Sequence, residues 1–210
     1  MKKKKVQLKK ALVSPMIILT AGIFVIASCK KEELKAPEEE NVVEEFTNIE
    51  FIFTNVNDPN DVSKGIWEDE DGFGPQEPAI LQHPTLKADE TYKLTFLMEN
   101  RLVSPVENVL EEIMDEDDEH QIFFAFDAGM FSSPSGVGNI ADNSGEINYL
   151  DFDDNGLPLG LETEWTTAGA VTGAKFRAVL AHKPDVKGPN SAWNSGDIDW
   201  DIEFSIDIEE

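Results

Sequence analysis

Asp197-Ile198-Asp199-Trp200-Asp201-Ile202-Glu203-Phe204-Ser205-Ile206-Asp207-Ile208 alternates an apolar with a polar residue along its whole length. Side chains of an extended backbone point to opposite faces at every second residue, so this segment is a strand with one buried face and one acidic, solvated face. That pattern belongs to an antiparallel sheet packed on one side only. The same period of two recurs at Ile49, Phe51 and Phe53, and again at Tyr92, Leu94, Phe96 and Met98. Weaker strand patterns cover Ala79 to Gln82, Ile122 to Phe126, Ile147 to Phe152, Leu159 to Thr166 and Lys175 to Ala181. Turn signals separate them at Asp58-Pro59, Asp71-Gly72, Asn155-Gly156 and Lys187-Gly188-Pro189.

One segment has a helical period. Ser104, Pro105 and Glu107 form an N-cap, a first-turn proline and a capping box, and Val106, Val109, Leu110, Ile113 and Met114 then fall on one face. Short antiparallel strands with one short connecting helix define a mainly β fold, an immunoglobulin-like antiparallel β-sandwich over residues 46–210. A barrel plugged by the helix is the competing architecture.

The other end of the chain carries an address. Lys2, Lys3, Lys4, Lys5, Lys9 and Lys10 precede an uncharged run from Ala11 to Ser28, the order of a secretory signal. Ile26-Ala27-Ser28-Cys29 resembles a lipobox, which makes residues 1–28 a lipoprotein signal peptide and Cys29, the single cysteine, the lipidation site. An uncleaved membrane helix is the alternative, opposed by Pro15 and the small-residue exit. With that thiol acylated, no disulfide or thiolate metal site is open to the chain.

Residues 29–45, rich in Glu and Lys, read as an acidic flexible tether. Lys31-Glu32-Glu33 resembles the export tag of some Bacteroidota lipoproteins, which favours the cell surface over the periplasmic face of the outer membrane. Six of the 17 basic residues and none of the 42 acids lie in the leader, so the chain's −25 becomes −31 once the leader is removed. Such a field repels nucleic acid and anionic headgroups and attracts metal ions or basic partners. Solubility alone also accounts for it.

Three constellations concern chemistry. Asp115, Glu116, Asp117, Asp118 and Glu119 crowd the end of the expected helix, where the macrodipole prefers cations, and His120 follows at once. Rule-breaking of this kind concentrates at functional sites. Asp118, Glu119 and His120, joined by His182 at the end of another strand, therefore form a candidate site for zinc or a similar divalent ion. Asp151, Asp153, Asn155, Gly156 and Glu162 match the calcium-loop pattern D-x-[DN]-x-[DN]-G-x5-E. Strand patterns flank this loop, and a two-residue Asn155-Gly156 hairpin would set Asp154 opposite Leu157 and Glu162 opposite Tyr149. The hairpin is the preferred reading, with Asp151, Asp153 and Asn155 left as a weaker calcium site.

Trp193, in a Gly/Pro/Asn-rich stretch, is a lone candidate for a sugar platform, whereas Trp67, Trp165 and Trp200 read as core or sheet-face residues. No G-x-S-x-G, H-E-x-x-H or P-loop occurs, and the chain is read as a non-enzyme.

Asp118-Glu119-His120-Gln121 before an aromatic strand, Asp153-x-Asn155-Gly156-Leu157-Pro158-Leu159-Gly160-Leu161, and Leu180-x-His182-x-Pro184 with Lys187 resemble a group of small Bacteroidota outer-membrane lipoproteins. Its members often carry the label "type 1 periplasmic binding fold superfamily" and accompany TonB-dependent receptors. The label names two α/β lobes, whereas one helix in 182 residues is the composition of a sandwich. The resemblance implies a membrane-anchored, ligand- or metal-binding accessory to nutrient uptake and a shared site at His120 and His182. A structural or adhesive acidic surface lipoprotein without a small ligand is the alternative.

Overall fold

A computed structural model describes residues 44–140 and 143–210. Cys29, the leader and the tether up to residue 43 lie outside the described residues. Strands β1 (Asn48–Asn55), β2 (Val62–Glu68), β3 (Ala79–Gln82), β4 (Thr85–Lys87), β5 (Thr91–Asn100) and β6 (Glu107–Asn108) precede helix α1 (Val109–Asp115). After it come β7 (His120–Phe126), β8 (Phe131–Ser133), β9 (Asn148–Tyr149), β10 (Thr163–Thr167), β11 (Val171–His182) and β12 (Asp197–Glu209). The described residues form the expected mainly β, antiparallel sandwich with one helix.

One sheet runs β3-β2-β1-β5-β10-β8, with β6 on β5 and β9 on β10; the other runs β4-β12-β11-β7. All pairings are antiparallel except that of β4 with β12. Their inner faces meet in an aromatic core in which Phe51, Phe53, Tyr92, Phe124, Trp165 and Phe176 are fully buried. Each fully buried Phe contributes roughly 1.5–3 kcal/mol through the apolar area it removes from water. Edge-to-face contacts such as Phe51 with Phe204 at 4.8 Å and Trp165 with Phe176 at 5.0 Å fix how the sheets interlock. A Cβ at Gly65 would sit 2.9 Å from the Phe204 ring, so a glycine faces that ring. On the solvated face of β11 and β12, Arg177 pairs with Asp201 and Lys175 with Glu203, exposed ion pairs of little energetic weight.

The helix starts later than its sequence signals indicate. Glu107 and Asn108 pair with Asn100 and Glu99, so the residues that should complete the capping box are extended ladder residues. Asn108 is the N-cap and makes no side-chain cap hydrogen bond. Val106 and Met114 are exposed, while Val109 and Ile113 face the core. Sheet pairing outweighs a local cap worth about 1 kcal/mol. The acidic end of α1 receives its cation from far along the chain: Lys187 Nζ donates to the Asp117 carbonyl at 2.6 Å.

Candidate metal centre

His120 opens β7 and His182 closes β11, and the two are directly opposed in the β7–β11 ladder. Period two places His120 with Ile122 and Phe124, and His182 with Leu180 and Ala178, all on the core-facing side. At this end of the sandwich the core layer continues as imidazole. The rings stack at 4.3 Å with 12° between their planes. Gly196 lies against the end of β11, and a Cβ there would fall 2.0 Å from the His182 carbonyl oxygen.

Two carboxylates that the sequence pattern assigns elsewhere complete the group. Glu44, counted with the tether, is buried, and its Oε1 lies 3.4 Å from His120 Nε2. Asp199, counted with the solvated face of β12, has Oδ2 3.6 Å from the same nitrogen. A register shift turns it inward: Leu180 pairs with Trp200 and Ala181 with Ile198, which leaves Asp199 as the extra residue of a bulge. The ligand atoms of Glu44, His120, His182 and Asp199 all lie within 4.8 Å of one another. For zinc bound at about 2.0–2.1 Å, the edge of a ligand tetrahedron is about 3.3–3.4 Å, close to the 3.4 and 3.6 Å that separate Glu44 and Asp199 from His120 Nε2.

Hydrogen bonding sets the tautomer. His120 Nδ1 lies 3.1 Å from the Glu116 carbonyl, which can only accept, so Nδ1 carries the proton and Nε2 presents its lone pair to the two carboxylates. Three buried atoms at this point, Glu44 Oε2, His120 Nε2 and Asp199 Oδ2, have no hydrogen-bond partner. Buried polar atoms are nearly always paired, so three orphans on the side chains of one cluster favour a bound cation.

Without a metal, a proton fills that role. Burial works to lower the His120 imidazole, but the neighbouring Glu44 carboxylate and the Asp199 charge outweigh it and raise it above its ordinary value. Burial works to raise Glu44, yet His120 and His182 hold it below the usual carboxylate range. Asp199 is pushed up to about 7, by burial first and by the Glu44 charge second. A bound ion would displace these protons, since ligation requires carboxylate and neutral imidazole.

Of the residues the sequence singled out, His120 and His182 meet. Glu119 adjoins them, with Oε2 3.2 Å from His182 Nε2, and is grouped with Glu116 and His182 in a second, more exposed cluster. Asp118 is exposed and belongs to neither cluster, because the turn after α1 carries it outward.

The calcium-like loop is a hairpin whose acids serve its own backbone. Asp153 N–H donates to the Leu157 carbonyl and Gly156 N–H to that of Asp153, giving a three-residue loop closed by Gly156 at φ +77°. At the tip the register therefore differs by one from the two-residue expectation, with Asp153, not Asp154, facing Leu157; further along, two more residues are taken up on the second side, so that Tyr149 pairs with Thr163 and not with Leu161. The positive φ of glycine permits the extra residue. Asp151 accepts from Gly160, Leu161 and Glu162 N–H. Asp153 Oδ1 accepts from Asn155 and Leu157, and its Oδ2 lies 2.9 Å from Lys187 Nζ in a sealed ion pair. Burial would raise Asp153, but the Leu157 N–H and Lys187 hold it low. Glu162 turns to Lys93 at 2.9 Å, and Asn155 is exposed at the tip.

Trp165 and Trp200 are buried, Trp67 is half-buried, and Trp193 is covered by the Arg177 guanidinium at 5.2 Å.

Fold and site together define an antiparallel β-sandwich with a buried two-histidine, two-carboxylate cluster at one end. No family model, curated protein or solved structure matches this chain.

Proposed function

We propose that this protein binds a divalent metal ion of the zinc class at Glu44, His120, His182 and Asp199. It does so as a lipoprotein anchored through Cys29 and exposed at the outer membrane, beside a TonB-dependent nutrient importer. The observation that carries the metal reading is that the clustered side chains of Glu44, His120 and Asp199 each hold a buried polar atom without a hydrogen-bond partner. Two imidazoles and two carboxylates suit a borderline ion better than calcium, which takes six to eight oxygens. The anchor and the importer rest on the leader pattern and on the family resemblance alone. Among the described residues no helix is long and apolar enough to cross a membrane.

Isothermal titration with zinc, with metal analysis of protein purified without chelators, tests the reading. One equivalent bound, and none after His120→Ala with His182→Ala, is the expected result. No heat and no co-purified ion would leave the acidic structural or adhesive lipoprotein as the better account. Intact mass of membrane-extracted protein tests the anchor separately, through the added mass of lipid on Cys29.

A further inference from the structure

The four ligand side chains are sealed. Exposures are 1% for Glu44, 0% for His120, 5% for His182 and 4% for Asp199, so an ion from solvent must first be held by something more accessible. Glu119, with 37% of its side chain exposed, already touches His182. With Glu116 it makes a second group of three ligand atoms lying within 4.8 Å of one another, and His182 is common to both groups.

Building on the metal reading above, we propose that His182 serves two ion positions in turn. The outer one is formed with Glu116 and Glu119, and the buried one with Glu44, His120 and Asp199, so that a divalent cation enters through the outer carboxylates and is passed inward. Both groups share an element: Glu116 and Glu119 lie on the turn that ends α1 and leads into His120. A neutral imidazole has one lone pair, because its other nitrogen holds the proton, so His182 ligates one ion at a time. Occupancy of the two positions is therefore alternative, and the stoichiometry is one. The independent sign that the path leads to a ligand is the set of orphaned buried atoms at its inner end. The last turn of α1 carries no basic residue of its own, and the Lys187 ammonium at this end is tied to the Asp117 carbonyl and the Asp153 carboxylate, so Glu116 and Glu119 keep their charge for cations at the entrance. A competing way in is the cleft of about 230 Å³ walled by Glu44, Asp199, Trp67 and Phe73.

Stopped-flow loading of the detergent-solubilised full-length chain with free zinc decides between them. Glu116→Gln with Glu119→Gln keeps an amide beside His182 while removing the outer charge. Loading should slow by about tenfold or more, the scale on which charge steers association, with release slowed alongside it and equilibrium affinity little changed. His120→Ala should retain weak binding at the outer position, abolished by adding Glu119→Gln. Unchanged loading in the double Gln variant, faster loading after Phe73→Ala alone, or two equivalents bound by the wild type would overturn the relay while leaving the buried site intact. Absence of any zinc binding by the wild type, seen in the equilibrium titration before kinetics begin, would instead remove the metal reading and the relay with it.

Discussion

At the hairpin of Asp151 and Asp153 the protein answers its own acids: three backbone N–H groups on one carboxylate, two more and Lys187 on the other. At the His120–His182 end, Glu44 and Asp199 approach a single imidazole nitrogen, and an oxygen of each is left without a donor. Both regions are buried and acidic, so acidity alone separates nothing. Asp153 Oδ2 makes no hydrogen bond either, but it has the Lys187 ammonium at 2.9 Å, so what separates the regions is whether the counter-charge is built in, and only the second leaves room in its chemistry for an ion from outside.

The contrast is broken most forcefully at the hairpin. Lys187→Met retains much of the side-chain volume but strands Asp153 without its counter-charge. The loss of a buried partner costs about 3–5 kcal/mol, expected as a lowered midpoint in urea unfolding whether or not zinc is present. Adding Asp153→Asn should return part of it. A loss under about 1 kcal/mol would mean the pair is open to water and the hairpin is not self-contained.

At the histidine end the expected effect is smaller and conditional on the ion. Zinc at a hundredfold excess over its dissociation constant stabilises the folded state by about 2.7 kcal/mol, and so raises the melting temperature by about 5–10 °C for a chain of this size. His120→Ala with His182→Ala should abolish the rise, and Lys187→Met should leave it in place. Scanning calorimetry of the three proteins with and without zinc checks both expectations.

The unequal legibility of the two regions has physical causes. His120 and His182 could be read because each ends a strand of clear period, and ladder register turns strand ends into neighbours. Glu44 was hidden inside a glutamate-rich run, where one buried carboxylate looks like its solvated neighbours. Asp199 was hidden by the regularity of β12 itself: strict alternation assigns it to the outer face, and only the bulge opposite Leu180 and Ala181 reverses that. The hairpin tip holds one residue more than Asn155-Gly156 indicates for a related reason, since that pair fits a two-residue turn as well as the three-residue loop that Gly156 closes. The capping box at Ser104 to Glu107 was a sound local signal overruled by pairing with β5. In each case the error is one of tertiary context, and the buried site was the more exposed to it because half its ligands come from non-ideal backbone.

A subtler test uses protons in place of zinc. Asp199 stands near 7 in the folded protein against an ordinary value of 3.8, so the folded state binds more protons than the unfolded state across that interval. Its contribution is thus fully present below pH 3.8 and is lost as pH rises through about 7. Asp199→Asn should flatten the metal-free stability profile between those limits and leave the protein no less stable at pH 8. The same variant should lose zinc affinity, because an amide is a poor substitute for a charged ligand. An unchanged profile would place Asp199 in ordinary contact with solvent.

The smallest expected effect, and the one that most sharpens the comparison, is no effect. Calcium at millimolar concentration should leave the melting temperature of the wild type unchanged, because Asp151 and Asp153 are held by backbone N–H groups and Lys187 and Glu162 turns to Lys93. To ligate calcium the hairpin would have to give up those donors, and six or more oxygens would have to gather where a three-residue turn now sits. A calcium-dependent rise that Asp153→Ala removes would show that it does so. The donors counted here as built in would then be placeholders, and the two ends of the molecule would be doing the same thing with different ions.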